Sequence, residues 1–416
     1  MKKVNHWAVF LSNNADKSSF IDLLLKGKAP LLLQEFNGLK GALFSTITLA
    51  QFIEEEDKHE GWLISGSYNR GIRTLSSGEQ KKALIEYLLS SQPNFIILDN
   101  PLDNLDIANQ ALLIETLTHF SDNTSYIQLI NRQRDLLPFI QIGAFWQNNL
   151  LTAFNNPEQL TKPIYGFDTS IENKKIPPPI KEYKLQFDEL VSFKDVTVNY
   201  EARVILKHIN WTINKGEFWQ LKGPNGSGKT TLLTMINGDN PKAYGQHLTL
   251  FGKRKGSGET VWEIKQKIGY LTPSMTDLFS TRHTLEEMII SGFVDSIGLY
   301  KQPTDHQIRL AKQWLELIEM EHLKKMVFCK LTLGQQRLAL VARAMVKHPP
   351  ILILDEALAG LDDYNSMLVI NLINKIAAES NTAILYVSHK EEVGLKPNFI
   401  YELVKTDSGS IGIVIR

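Results

Sequence analysis

The chain has almost no cysteine, no excess of charge of either sign and no long apolar run. Cys329 is the only cysteine among 416 residues, which excludes a disulfide within the chain and suits a reducing compartment. Lysine plus arginine and aspartate plus glutamate both number 45, so no overall basic excess indicates a nucleic-acid partner. No apolar run approaches the roughly 18 residues of a membrane span, and no signal peptide is recognisable. We therefore expect a soluble cytoplasmic protein that reaches a membrane only through a partner.

A phosphate-binding motif of the form G-x-x-x-x-G-K-[ST] lies in the second half of the chain. Its residues are Gly223, Pro224, Asn225, Gly226, Ser227, Gly228, Lys229, Thr230 and Thr231. A short strand pattern precedes the motif and a helical pattern follows it, so backbone N–H groups and the helix dipole would favour an anion there. The alternative is a glycine-rich turn without a ligand. The flanking patterns favour the binding of a nucleoside triphosphate.

The second half of the chain repeats motifs of the first half. Three pairs of residues are each 256 positions apart: Gly334 and Gly78, Asp355 and Asp99, Asp362 and Asp106. Lys229 and Lys17 are 212 positions apart, so the first copy is 44 residues shorter between its lysine and its glycine. A constant offset indicates two copies of one domain. We expect the copies over residues 1–155 and 191–416, joined by a Pro-rich linker over residues 156–190.

Together these segments resemble the nucleotide-binding domains of ATP-binding-cassette (ABC) proteins, once per half. The second half matches the family's Walker A loop (residues 223–231), Walker B strand (Ile351–Asp355), catalytic glutamate (Glu356), D-loop (Ala359–Asp362), switch histidine (His389) and adenine-stacking aromatic (Tyr200). The first half carries the family's signature sequence within Leu75–Gln80, including Ser76, Ser77, Gly78 and Glu79. The resemblance implies an α/β fold of two P-loop NTPase domains in tandem. Each would have a mainly parallel sheet and a helical subdomain, and the N-terminal copy would be truncated and degenerate.

Each motif also has a purely structural interpretation. Ser76–Glu79 and Thr332–Gln335 both fit the capping box that begins a helix. His389 could be a polar residue at a strand end, and Tyr200 could be an ordinary strand tyrosine. The series of motifs in one order favours the functional interpretation of the set.

The first copy departs from the family where phosphate and water would be handled. Leu11, Asn14 and Asp16 replace the three glycines of the loop. Asn100 stands in place of the catalytic glutamate, and a neutral amide cannot take a proton from water. Asn131 stands in place of the switch histidine. We predict that this copy does not hydrolyse ATP.

The second copy departs from the family elsewhere. Thr332 and Leu333 replace the serine and a glycine of the signature, and residues 268–274 contain no glutamine at the Q-loop position. In the first copy, Gln51 is a candidate for that position. In ABC proteins, each ATP lies between the Walker A loop of one domain and the signature of the other. The intact loop and the intact signature would thus meet in one site, which indicates that the two halves pair within one chain.

The resemblance implies a role for each group of that site. Lys229 and the loop N–H groups would hold the phosphates of ATP, and Thr230 with Asp355 would hold Mg²⁺. Glu356 would polarise the attacking water, and His389 would contact the γ-phosphate. The signature residues Ser76 and Gly78 would reach the γ-phosphate from the first copy.

Three functions remain open. The leading one is an ABC ATPase that energises or regulates transport through a membrane permease, and a subgroup linked to molybdate is the nearest resemblance. The second is a non-transport ABC ATPase of the translation-factor type. Its members usually keep both catalytic glutamates and carry a long charged linker, unlike this chain. The third is a binding module in which ATP only locks the two halves together, which would require Glu356 to be inactive.

Overall fold

The computed structural model describes most of the chain, which divides into two compact units. The described residues are 4–11, 15–59, 64, 70–103, 105–147, 149–154, 171, 174–180, 183, 187–201, 203–279, 282–389 and 391–415. The first unit comprises Met1–Gly166 and Gly360–Tyr364, and the second comprises Phe167–Ala359 and Asn365–Arg416. Within the described ranges, no helix is both long enough and apolar enough to cross a lipid bilayer.

The first unit is built on one sheet. Its described strands are β1 (Trp7–Leu11), β2 (Gly41–Phe44), β3 (Phe95–Asp99), β4 (Ser125–Ile130), β5 (Ile142–Gln147) and β6 (Leu150–Ala153). Its described helices are α1 (Lys17–Leu25), α2 (Thr46–His59), α3 (Ser77–Ser90) and α4 (Ile107–His119). The strand order is β2-β3-β4-β1-β5-β6, and the described neighbours are parallel except for the antiparallel pair β5 and β6.

Apolar side chains cover both faces of this sheet. Along β1, Ala8 and Phe10 belong to the cluster that includes residues of α3 and α4. Trp7 and Val9 belong to a second cluster that includes residues of α1. Because side chains of a strand alternate between faces, a strand buried on both faces has an uninterrupted apolar sequence. The apolar runs in the sequence are therefore strands in the interior of a layered α/β unit.

The second unit has a larger sheet with a parallel core. Its described strands are β7 (Glu189–Tyr200), β8 (Arg203–Asn214), β9 (Phe218–Lys222), β10 (Leu248–Leu250), β11 (Lys253–Arg254), β12 (Ile268–Leu271), β13 (Ile351–Asp355), β14 (Ala383–Val387), β15 (Phe399–Thr406) and β16 (Gly409–Ile415). The order is β11-β10-β7-β8-β16-β15-β9-β14-β13-β12. Its described helices are α5 (Lys229–Ile236), α6 (Val261–Gln266), α7 (Met275–Leu278), α8 (Leu285–Ser291), α9 (Asp305–Leu317), α10 (Leu333–Met345) and α11 (Asp363–Glu379). Helices α8, α9 and α10 pack on one another as the helical part of the unit.

The internal repeat is visible in the backbone. In the second unit, β14 lies between β9 and β13, and all three are parallel. In the first unit, β4 lies between β1 and β3 in the same way. The Glu356 N–H donates to the carbonyl oxygen of Val387 at 2.9 Å, and the Asn100 N–H donates to that of Leu129 at 3.0 Å. The prediction of two α/β copies with mainly parallel sheets is confirmed.

Part of the Pro-rich segment packs against the second unit. Residues 156–170 of this segment lie outside the described residues. Farther along, the Lys174 Nζ donates to the carbonyl oxygen of Glu316 at 2.7 Å. The Ile176 N–H donates to Oε2 of Glu379 at 3.0 Å. The segment thus contacts residues at the C-terminal ends of both α9 and α11, so this part of it is held by the second unit.

Candidate nucleotide-binding site

The phosphate-binding motif forms the turn between β9 and α5. Gly226 and Gly228 have φ angles of 71° and 98°, in the left-handed region that favours glycine. A Cβ atom on Gly228 would lie 2.6 Å from Cδ2 of Leu206. Among the described residues, no side chain caps the N-terminus of α5, so its first N–H groups are available to an anion. The sequence thus builds an open cradle at the end of the strand.

Two donor side chains lie at this cradle. The Lys229 Nζ donates to the carbonyl oxygens of Gly223 at 2.7 Å and Pro224 at 3.1 Å. The Ser227 hydroxyl is buried and has no hydrogen-bond partner among the described residues. A phosphate oxygen is a stronger acceptor than a carbonyl oxygen for an ammonium group. Both groups therefore fit a phosphate ligand.

An open cleft of about 710 Å³ connects the cradle with the end of β7. It brings together four of the predicted groups: Tyr200, Lys229, Asp355 and Glu356. The Tyr200 hydroxyl accepts a hydrogen bond from Nδ2 of Asn240 at 3.0 Å, and Asn240 also donates to a threonine of α5. Tyr200 is 43% exposed, so its ring is available to stack on a planar ligand. The cleft thus extends from an aromatic ring to a pair of carboxylates.

The carboxylate pair lies at the end of β13. Burial, together with the neighbouring charge of Glu356, raises the pKa of Asp355 to about 6, while Lys229 opposes the rise. Glu356 has a φ of 45°, an unfavourable conformation for this residue type. Its N–H bond to β14 holds this conformation. Two consecutive carboxylates therefore lie at the end of β13, and the second is on a strained backbone.

His389 lies beside this pair, two residues after β14. Its Nδ1 is 3.4 Å from Oε1 of Glu356, and the imidazole side chain is only 14% exposed. Its Nε2 is buried and has no hydrogen-bond partner among the described residues. One ring nitrogen is therefore available to a ligand oxygen.

Both signature segments form capping boxes. The Ser76 hydroxyl accepts from the Glu79 N–H at 3.4 Å, and the Ser76 N–H donates to the Glu79 carboxylate at 2.7 Å. Thr332 and Gln335 make the same pair of bonds in the second unit. A Cβ atom on Gly78 would lie 2.5 Å from the side chain of Asn109, which explains the glycine by packing alone. Capping and phosphate binding use the same helix end and are compatible.

The corresponding loop of the first unit is occupied by its own side chains. The carboxylate of Asp16 accepts from the Ser19 N–H at 2.9 Å and caps α1. The Lys17 Nζ forms a salt bridge with Oδ1 of Asp99 at 2.9 Å. Asn14 lies outside the described residues. The helix end that would meet phosphate is thus already capped by a negative charge.

Asn100 and Asn131, the other two substitutions of the first unit, lie on a backbone that resembles that of the second unit. Asn100 has a φ of 42°, close to that of Glu356. Asparagine adopts this conformation more readily than glutamate, so the substitution relieves strain as it removes a carboxylate. Asn131 follows β4 as His389 follows β14. The first unit thus keeps the backbone of this strand edge but carries two amides where the second unit has a carboxylate and an imidazole.

One residue predicted from the sequence, Gln51, lies elsewhere in the structure, and other residues near the cleft were not predicted. Gln51 lies inside α2 and is exposed, whereas Ser45 directly follows β2 at the Q-loop position, so the Gln51 interpretation is wrong. Arg203 lines the nucleotide cleft and was not predicted. The buried pair Gln220 and Ser388 was also missed. A glutamine inside an apolar strand was the available signal for that pair.

Fold and site together define a P-loop nucleotide-binding protein with two copies of one domain. Among the described residues, the second copy alone has an open phosphate cradle. Residues 206–359 match the family model described as ABC transporter. The ABC transporter ATP-binding protein ModF of Escherichia coli (strain K12) is 36% identical over 363 residues, which are 83% of this chain and 74% of ModF. An uncharacterized ABC transporter ATP-binding protein of Schizosaccharomyces pombe, C323.04, is 30% identical over 76% of this chain and 65% of its own length.

The fold also has a neighbour that spans both units. It is the crystal structure of a complex between the archaeal ribosomal stalk protein aP1 and the archaeal ribosome recycling factor aABCE1. The match has a TM-score of 0.64 and 16% identity and covers 98% of this chain and 85% of that chain, which shows the fold alone. From the family model and the relatives, the chain belongs to the ABC transporter ATP-binding protein family. It is an ATP-binding, ModF-like ABC ATPase.

We predict that Gly228→Ala weakens ATP binding at least roughly tenfold, because the left-handed conformation costs an alanine ~1–2 kcal/mol and its Cβ would collide with Leu206. Gly258→Ala is the matched control, since Gly258 has a φ of 109° and no atom within 4 Å of a Cβ. Titration with a fluorescent ATP analogue measures the affinity, and thermal unfolding measures the strain. Equal affinities of the two variants would contradict the role of the cradle.

Proposed function

We propose that the chain hydrolyses ATP at the cleft of the second unit and that the first unit does not. The observation that carries this proposal is the single cleft that joins Tyr200, Lys229, Asp355 and Glu356. In the first unit, the corresponding lysine is neutralised by Asp99 and the helix end is capped by Asp16. The two units thus have a similar backbone at this strand edge and differ in the side chains that it carries.

The phosphates of ATP would be held by the open N-terminus of α5 and by Lys229. The lysine now donates to two carbonyl oxygens of its own loop. A phosphate oxygen would replace these acceptors, because it is the stronger acceptor for an ammonium group. The exposed ring of Tyr200 would stack on the base at the other end of the cleft.

Thr230 and Asp355 would hold Mg²⁺, whose charge would neutralise the phosphate oxygens. Thr230 is exposed in the first turn of α5, and Asp355 faces the same cleft. Within the described residues, no group of three or more His, Cys, Asp or Glu side chains could hold a metal ion. A site with two protein ligands fits Mg²⁺, which keeps water and phosphate oxygens as its other ligands.

Glu356 would accept the proton of the attacking water, and His389 would contact the γ-phosphate. The His389 Nε2, which lacks a partner among the described residues, would make this contact. His389 Nδ1 faces the Glu356 carboxylate at 3.4 Å, so the imidazole would link the base to a bound phosphate. The signature residues Ser76, Gly78 and their neighbours would complete the site when ATP is bound.

We predict that Glu356→Gln lowers the rate of ATP hydrolysis at least roughly 100-fold while ATP binding persists, because the amide keeps the shape but loses the basicity. Steady-state phosphate release and nucleotide titration measure the two properties. Asn100→Glu is the matched variant in the first unit. It should not raise the rate, because Asp16 and Lys17 still close the loop. Near-normal turnover of Glu356→Gln would refute the assignment.

We predict that Ser76→Arg abolishes most ATP turnover, whereas Thr332→Arg leaves most of it. Both variants lose an N-cap, at a cost of ~1 kcal/mol, so their thermal stabilities should fall alike. Only Ser76→Arg would place a bulky group at the signature that serves the intact loop. The ATPase rates of the two purified variants are the measurement, and equal rates would contradict an asymmetric site. Ser76 is preferable to Gly78, where any side chain would collide with Asn109.

The cellular role proposed is the energising or regulation of transport through a membrane permease. The resemblance to the subgroup linked to molybdate suggests an oxyanion as the solute, and the sequence relation to ModF supports the transport role. The alternative is a soluble ABC ATPase that acts on the ribosome. The fold neighbour from that class shares the tandem architecture.

These two roles differ in what binds the ATP-loaded chain. With Glu356→Gln as an ATP-trapped bait, we predict recovery of a membrane permease from detergent-solubilised membranes. The same bait incubated with ribosomes and sedimented through sucrose should remain in the supernatant. Wild-type chain without nucleotide is the control for both arms. Co-sedimentation with ribosomes and no permease would favour the alternative role.

A further inference from the structure

Two buried polar side chains connect the strand that leads into the phosphate loop with the residue before His389. Gln220 on β9 is 2% exposed, and Ser388, which directly follows β14, is 3% exposed. The Gln220 Nε2 donates to the Ser388 hydroxyl oxygen at 3.0 Å. The Ser388 N–H donates to the carbonyl oxygen of Leu221 at 3.2 Å. Strand β9 thus holds Ser388 through both its hydroxyl and its backbone.

The fold by itself does not require a polar pair at these positions. The strand register pairs Gln220 with Tyr386 in the second unit and Ala8 with Gln128 in the first. Ala8 is therefore the counterpart of Gln220, and Ile130 is the counterpart of Ser388. Both counterparts are completely buried and apolar. The first unit also buries an amide, Gln128, but that side chain bonds to the backbone of Asp135 and Leu137 in the segment after β4. A buried amide is unfavourable unless it is hydrogen-bonded. The bond from the strand before the phosphate loop to the residue before His389 is thus replaced by apolar side chains in the first unit, which points to a task specific to the second.

The side chain that follows this pair is only weakly held by its own contacts. The single described hydrogen bond of His389 runs from Nδ1 to Glu356 at 3.4 Å, close to the outer limit for such a bond. Its Nε2 is buried without a partner among the described residues. The position of the imidazole therefore depends on the backbone that carries it. That backbone is fixed at Ser388.

We propose that Gln220 and Ser388 are positioning residues that hold the imidazole of His389 in place for the γ-phosphate of ATP. The inference rests on the proposed function, in which Glu356 and His389 act on ATP in the second unit. Because Gln220 lies on the strand that continues into the Walker A loop, the pair ties the histidine to the phosphate cradle. The pair acts through His389 and does not touch ATP.

The test compares kcat and KM for ATP among full-length variants. Gln220→Ala, Ser388→Ile and their combination, which copies the apolar pair of the first unit, should lower kcat roughly 10- to 100-fold. KM for ATP should change less than about twofold, since the cradle and Tyr200 are untouched. Ser388→Thr keeps the hydroxyl and should recover kcat relative to Ser388→Ile.

A double-mutant comparison separates positioning from a structural role. If the pair acts through His389, the combined apolar variant should cause no further loss of kcat in a His389→Ala background. An equal loss in both backgrounds would overturn the proposal. So would a normal kcat of the combined apolar variant with His389 intact.

Two controls keep these outcomes interpretable. Thermal unfolding shows whether each variant is folded, and the combined apolar variant restores packing if a single variant is unstable. Ser291→Ala removes another buried hydrogen bond, from Arg343 Nε at 3.1 Å, and should lower stability without a selective loss of kcat. Glu356→Gln distinguishes failure of the proposed function from failure of the positioning role. If it retains turnover, the proposed function fails, whereas if it is inactive and the apolar variant is normal, only this inference fails.

Discussion

The parallel alignment of β9, β14 and β13 is the constraint on which the second unit's site depends. Parallel strands end at the same edge of a sheet, so segments far apart in the chain meet there. This edge carries the phosphate loop after β9, His389 after β14 and the two carboxylates at the end of β13. The order of the strands thus brings the charged and polar groups of the site together at one edge.

The two units share part of that backbone, although the side chains at the strand ends differ. Asn100 and Glu356 share a left-handed conformation and the same hydrogen bond to the neighbouring strand. The conformation is unfavourable for glutamate and tolerable for asparagine, so the first unit keeps the geometry without the strain. A strained residue held by a well-packed sheet is typical of a functional position.

The two phosphate loops also differ in the group that bonds to the first N–H groups of the following helix. Among the described residues, no side chain caps α5 in the second unit, and Lys229 donates to two carbonyl oxygens of its own loop. In the first unit, Asp16 caps α1 and Asp99 pairs with Lys17. The first N–H groups of α5 are therefore open to an anion, whereas the start of α1 already has the carboxylate of Asp16.

The sequence alone predicted the fold class, the repeat and most of the candidate site, because motif spacing and apolar runs report local geometry directly. Gly228, Lys229 and Glu356 were identifiable since the G-K-T turn and a strand ending in two carboxylates are local patterns. Tertiary structure decided what depends on packing between distant segments. The salt bridge between Lys17 and Asp99, the bond between Gln220 and Ser388 and the place of Gln51 inside α2 depend on which strands lie side by side and where a helix begins. No short window of sequence contains that information.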